Sequence, residues 1–199
     1  MSKGERTRAA ILEQAAALSS TEGLSGLTIG MLAERLNMSK SGLFAHFGSK
    51  EQLQQSVLEH AAELFIAHVI EPSLKQPRGI PRLKCLFDRW VEWGARGPFP
   101  GGCPIHAASF EFDDRPGPIR DYVAATQARL HGFVAEALRK TVATGELRAD
   151  LDCEQGAFEL ISLAQGFECS HRLTRTAQPE KWVRAAFDRF LTSNAATAH

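Results

Sequence analysis

The stretch Gly26–Leu53, GLTIGMLAERLNMSKSGLFAHFGSKEQL, contains three helix starts and two turns in close succession. Thr28 is placed to cap a helix whose inner face is Ile29, Leu32, Ala33 and Leu36, a helix of only about two and a half turns. Asn37 follows, one of the few residues besides glycine that tolerates the left-handed backbone of a tight turn. Ser39 then offers a cap for a second short helix through Leu43, Phe44 and Phe47. Gly48 interrupts it, and Ser49 with Gln52 makes a capping box that opens a further helix. Two short helices about a tight turn, the second polar at its start and apolar behind, have the layout of a helix-turn-helix. Packing alone explains such a pair about as often as DNA binding does, so the layout by itself does not decide the function.

Working outward, apolar residues recur at helical spacing nearly everywhere, and no stretch alternates with period two for long enough to make a strand. The expected fold is all-α, with about nine helices. Ile11, Leu12, Ala15, Ala16 and Leu18 give a first helix one apolar face, and Gly23 sits where a left-handed C-terminal cap would end it. The fourth helix runs through Leu53, Val57, Leu58, Leu64 and Phe65 to about Pro72, roughly 30 Å at 1.5 Å per residue. Residues 72–81, with three prolines and a glycine, read as a loop. A fifth helix carries Leu83, Leu86, Phe87, Trp90 and Trp93. After a glycine- and proline-rich break at 97–102, a short sixth helix passes through Ile105, Ala108 and Phe112. Pro118 opens the seventh, which reaches Gly145. Two more carry Leu160, Ile161, Ala164 and Phe167, then Trp182, Ala186, Phe187, Phe190 and Leu191. The tail SNAATAH is expected to fray.

The chain has 199 residues, 44% of them hydrophobic, enough for one generous core or for a small module on a larger one. Lys plus Arg and Asp plus Glu are both 23, so net charge favours no nucleic-acid partner. Every apolar run is broken well before the roughly 18 residues of a membrane span. The start, MSKGERTRAA, lacks the apolar core of a signal peptide, and the expected location is the cytoplasm. Cys85, Cys103, Cys153 and Cys169 have neither zinc-knuckle nor redox spacing, and are expected to be reduced and mostly buried. There is no nucleophile elbow, no glycine-rich phosphate loop and no framed pair of carboxylates, so no enzyme activity, metal or cofactor is expected. Glu111, Asp113 and Asp114 read as capping and turn chemistry ahead of Pro116.

The wording of the opening stretch resembles the N-terminal domain of the TetR family of transcriptional regulators, without gaps. The matching features are Thr28 opening helix two, Ala33 within it, Ser39-Lys40 opening helix three, the Gly42-Leu43-Phe44 step, His46-Phe47 and Ser49-Lys50-Glu51. With Leu12-Glu13-Gln14-Ala15-Ala16 and Gly23, the resemblance covers roughly the first 65 residues. It implies a DNA-binding domain over residues 1–50, helix four (about 50–71) as the link, and a ligand-binding and dimerisation domain over 51–199. It further implies a ligand-responsive regulator, a repressor that binds a palindromic operator in double-stranded DNA as a homodimer and is released by a small apolar or electrophilic effector. The last two helices would pair with those of a second copy, small residues at Ala164, Gly166, Ala185 and Ala186 lying beside Phe167, Phe187 and Phe190; a core within one chain explains the same spacing equally well.

Helix three would then lie in the major groove, with Lys40 and Ser41 at the base edges and His46 reaching a base or a phosphate. Thr28, Ser39 and Lys50, at helix starts, would hold phosphates. Lys3, Arg6 and Arg8 would form a basic arm ahead of helix one. Residues 1–50 carry six Lys or Arg against four acidic residues, a local charge of only plus two, and Arg35 reads as solvated surface. The family often has a tyrosine where this chain has Phe44; phenylalanine cannot bond a phosphate, leaving core or a wedge against a thymine methyl as its roles.

Residues 99–121, FPGGCPIHAASFEFDDRPGPIRD, resemble a stretch that lines the pocket in one branch of the family. Trp90, Trp93, Cys103, His106, Phe110 and Phe167 are the expected ligand-binding residues. Cys103 has three readings: a pocket-lining residue, a thiol activated by a helix N-terminus that senses electrophiles or oxidants, or a metal ligand with His106. A Cys-His hydrolase using Cys103 with His106 or His171 is the enzymatic alternative, and a helical interaction module that has lost DNA binding is a third.

Overall fold

The computed structural model describes residues 3–196, with side chains from residue 4 onward. Among these residues there are nine helices and no strand: α1 (Lys3–Glu22), α2 (Ile29–Arg35), α3 (Lys40–Phe47), α4 (Lys50–Phe65, continued as described below), α5 (Ile80–Arg96), α6 (Pro104–Glu111), α7 (Pro118–Ala143), α8 (Cys153–Arg172) and α9 (Pro179–Ser193). The all-α expectation holds. The Lys3–Arg8 segment is the first turns of α1 rather than an arm ahead of it; Lys3's side chain lies outside the described residues. Phe112 caps α6 instead of lying inside it.

The fourth helix ends close to its expected limit at about Pro72, running through the proline to Leu74. After Phe65 it widens into a π-helical turn (Ile66–Ile70) and finishes in one α turn (Glu71–Leu74). Pro72 has no N–H to give, and its ring would press on the carbonyl four residues back in a regular helix. In the widened turn Glu71 N donates to Ile66 O, five residues back, and the chain passes the proline without ending.

The helices form two compact units: Met1–Leu64 with Gly97–Ala125, and Phe65–Arg96 with Thr126–His199. The first is built on Ile11, Leu24, Leu27, Leu32, Leu43, Leu53, Val57 and Leu58, all essentially without solvent exposure. The second packs α5, α8 and α9 around Leu83, Val91, Leu138, Leu147 and Leu160. There Phe87 and Phe187 stack with centroids 4.2 Å apart, and the ion pairs Arg96–Glu180 and Arg184–Asp88 tie the exposed rims of α5 and α9. Such exposed pairs contribute little beside the core.

The stretch after α9 is pinned, against the expected fraying, as far as residue 196. Leu147 and Ala195 form an isolated antiparallel bridge, Arg148 N donates to Asn194 O (2.9 Å) and Ala196 N to Glu146 O (3.1 Å). Residues 197–199 lie outside the described residues. The cysteines are thiols as expected but are not buried: Cys85, Cys103 and Cys153 are half-buried and Cys169 is exposed. Burial pushes the Cys153 thiol above its ordinary range, with Arg139 opposing.

Candidate DNA-reading interface

Each end of the two short helices is closed by local chemistry. Thr28, in extended backbone, accepts Met31 N on its hydroxyl at 3.1 Å. At the other end Asn37 takes the left-handed conformation (φ 50°), Asn37 N donates to Glu34 O and Met38 N to Ala33 O. Those two bonds make a complete Schellman turn, with asparagine in place of the usual glycine. Ser39 then accepts Gly42 N at 3.0 Å and α3 begins. Gly48 (φ 71°) closes it, and Ser49 accepts Gln52 N to open α4.

This frame decides which side of α3 faces out. Leu43 and Phe47 are buried, while Lys40, Ser41, Phe44 and Ala45 are exposed and His46 is half-buried. Phe44 is 53% exposed, which removes the core reading and leaves it on the open face beside Lys40 and Ser41. The aliphatic stem of Lys40 runs past Gly30 of α2, whose missing Cβ would sit 3.6 Å from Lys40 Cε. The structure thus brings Lys40, Ser41 and Phe44 onto one exposed face, with Thr28 and Ser39 at the helix starts.

Two of the basic residues have intramolecular partners. Arg8 donates to Ser56 Oγ at 3.0 Å and lies over the Phe47 ring, 5.2 Å from its centroid, binding α1 to α3 and α4. Lys50 Nζ donates to Ser25 O at 2.6 Å. Arg6 is exposed on the first turns of α1.

Glu111 does something other than turn chemistry. Its Oε2 accepts Leu24 N at 2.8 Å and its Oε1 accepts Ser25 N at 2.7 Å, far back in sequence. Asp113 does serve its own turn, accepting Asp114 N. No local signal marks Glu111, because its partners are backbone groups of a loop 86 residues away.

The expected ligand-binding residues are shared between the two units. In the second, Phe65 sits edge-on to both Trp90 (5.6 Å) and Trp93 (5.5 Å), and Phe167 is buried against Gly94, whose missing Cβ would lie 3.2 Å from its ring. Phe65, His68 beside Trp93, and His171 stacked on Phe167 belong to this aromatic cluster; the sequence marks Phe65 only as a helix residue, His171 only as a hydrolase alternative, and His68 not at all. In the first unit, Cys103 takes the N-cap position of α6, and His106 lies against Phe110, which is 70% exposed. Among the described residues, no three His, Cys, Asp or Glu side chains are grouped to hold a metal ion, and no helix is long and apolar enough to cross a membrane.

A short capped helix with an exposed polar start, set on a second helix by a Schellman turn, defines a helix-turn-helix DNA reader. Residues 11–57 match the family model "Bacterial regulatory proteins, tetR family", and residues 79–187 match "Tetracyclin repressor-like, C-terminal domain". The chain belongs to the TetR family of bacterial transcriptional regulators. Among solved structures it is similar to a TetR transcriptional regulator from Chloroflexus aurantiacus J-10-fl (27% identity, all of both chains, TM-score 0.90). It shares its fold with AibR in complex with isovaleryl coenzyme A and operator DNA (22% identity, 92% of this chain and 96% of that one, TM-score 0.75). The same holds for the ketosteroid transcriptional regulator KstR2 of Mycobacterium tuberculosis (18% identity, 96% of each chain, TM-score 0.69). No match was found among curated proteins.

Proposed function

We propose that the chain is a cytoplasmic repressor that binds a palindromic operator as a homodimer and leaves it when a small apolar or electrophilic effector binds. The exposed face of Lys40, Ser41 and Phe44 is the observation that carries the DNA half. Lysine donates to guanine O6 and N7, serine pairs with several bases, and an exposed phenyl ring suits a thymine methyl. Thr28, Ser39, Lys50 and Arg6 are assigned as phosphate-holding groups that fix register, and His46 as a contact to a base or a phosphate. One such head reads too few bases to be specific, so two must act together, and a two-fold dimer matches an inverted repeat. Effector contacts are assigned to Trp90, Trp93 and Phe167, the ligand-binding candidates that lie in the second unit. An effector that binds one conformational state better than the other shifts the equilibrium by that difference in affinity.

Selection of bound sequences from random duplex DNA tests this reading. An inverted repeat is expected to emerge, and enrichment of none overturns it. On that repeat, Lys40→Ala is expected to cost about 1–3 kcal/mol and to relax the preference at one position of each half-site. Lys50→Ala is expected to weaken binding to all duplexes and to flatten the salt dependence by about one unit. An unchanged salt slope would mean that its bond to Ser25 O is its whole role.

A further inference from the structure

Four side chains from two remote segments converge on the turn between α1 and α2, all within the first compact unit. From α4, Lys50 Nζ donates to Ser25 O (2.6 Å) and the buried Gln54 donates through Nε2 to Leu24 O (2.7 Å). From the end of α6 and just beyond it, Glu111 accepts Leu24 N and Ser25 N, one on each carboxylate oxygen, and Arg115 donates to Ser25 Oγ (2.7 Å). Gly23 (φ +78°) leaves room for this: a Cβ there would sit 3.3 Å from Glu111 Oε1.

In the usual cap the N–H just after a left-handed glycine returns to a carbonyl in the last turn of its own helix. Here Leu24 N and Ser25 N go to Glu111, so the path from α1 into α2 is set by α6. Leu24 is itself buried and Ser25 half-buried, so these donors have little water to turn to if the carboxylate is lost. Thr28, the cap of α2, lies just downstream.

We propose that Glu111 is a positioning residue for operator recognition. Its carboxylate fixes the α1–α2 turn, hence the aim of the α2–α3 pair, and through it the conformation of α6 sets operator affinity. The sign separates this from simple electrostatics. Removing an acidic side chain from a DNA-binding unit strengthens binding to any duplex if charge alone matters. Positioning requires the reverse for the operator. By reciprocity, operator binding must in turn steady α6.

The inference rests on the regulator reading, and the test keeps the two apart. Wild type, Glu111→Gln and Glu34→Gln are compared on the selected inverted repeat and on a scrambled duplex of equal length, at a temperature where melting curves show all three folded. Glutamine keeps the shape of Glu111 but presents an amide to one of the two N–H donors; Glu34 lies exposed on α2 and supplies the charge control. The expected result is a roughly tenfold loss on the repeat for Glu111→Gln, no loss on the scrambled duplex, and unchanged or tighter binding for Glu34→Gln. Binding of Glu111→Gln within twofold of wild type, or tighter, overturns the proposal while leaving the regulator reading intact. In the unaltered protein, amide exchange across residues 104–111 is expected to slow when the repeat is bound, and exchange that does not change overturns it independently. If wild type selects no repeat, it is the regulator reading that fails.

Discussion

Replacing both Phe158 and Trp182 by arginine is expected to leave the chain monomeric, where the proposed homodimer requires two copies, and to lower operator affinity by roughly a hundredfold or more. In the single chain these rings are 60% and 57% exposed, an unusual placement for large aromatics. They do not stand alone. On α8 the exposed positions Phe158, Ser162, Gly166, Cys169 and Leu173 step by three and four residues, which places them along one stripe. On α9, Trp182 and Ala185 are exposed in the same way, while Phe187, Phe190 and Leu191 point into the core of their own unit. A Cβ added at Gly166 would meet nothing within 4 Å among the described residues, so its lack of a side chain serves no packing need within the second unit. An apolar stripe with small residues is what close pairing with a second helix pair requires. Two arginines on each copy would put like charges into that contact. Sedimentation or light scattering of the variant, beside an operator titration, checks both halves of the expectation. A variant that remains dimeric would place the interface elsewhere.

Gly101→Ala is expected to destabilise the protein by about 3 kcal/mol, near the upper end for overpacking, because the obstacle is backbone. A Cβ at Gly101 would lie 1.7 Å from Ser20 O and 2.6 Å from Thr21 N, and neither can swing aside as a long side chain would. The same glycine donates its N–H to Ser20 Oγ at 2.8 Å, so any retreat of the 97–102 segment also gives up that bond. Gly79 presents a contrast. Its Cβ would strike the carboxylate of Glu146, a movable group, although φ of +100° still disfavours a side chain there. Urea unfolding of Gly101→Ala checks the magnitude. A loss under 1 kcal/mol would mean that the end of α1 yields more readily than its hydrogen bonding suggests.

The parts of the fold that the sequence made legible are those closed by neighbours in the chain. Thr28, Ser39 and Ser49 cap the helices they precede, Asn37 makes the left-handed turn, and Pro118 begins its helix, because each acts on backbone a few residues away. The exposed face of α3 followed from the same local logic once Leu43 and Phe47 were assigned inward. What was hidden is non-local. Glu111, Arg115, Lys50 and Gln54 converge on residues 24 and 25 across 25 to 90 positions of sequence, and nothing in the wording around them announces those partners. The pinned residues 194–196 escaped for the same reason, their partners being the backbone of 146–148. Lys50 has a partner that its position does not announce: a lysine at a helix start suits a phosphate, and here its ammonium also serves a carbonyl of its own chain.

The π-helical turn at Ile66–Ile70 also has a meaning in terms of descent. A widened turn is what a helix retains when one residue is inserted and the flanking structure holds its place. Taking one residue out of it would restore a regular α-helical turn with the flanking residues in place, whereas the same deletion from a regular helix would rotate its two ends by about 100° relative to each other. Relatives whose fourth helix is α-helical throughout should therefore align to this chain with a single gap inside 66–70. An alignment that slides the helix ungapped through this point would pair the buried Val69 and Ser73 with the wrong residues.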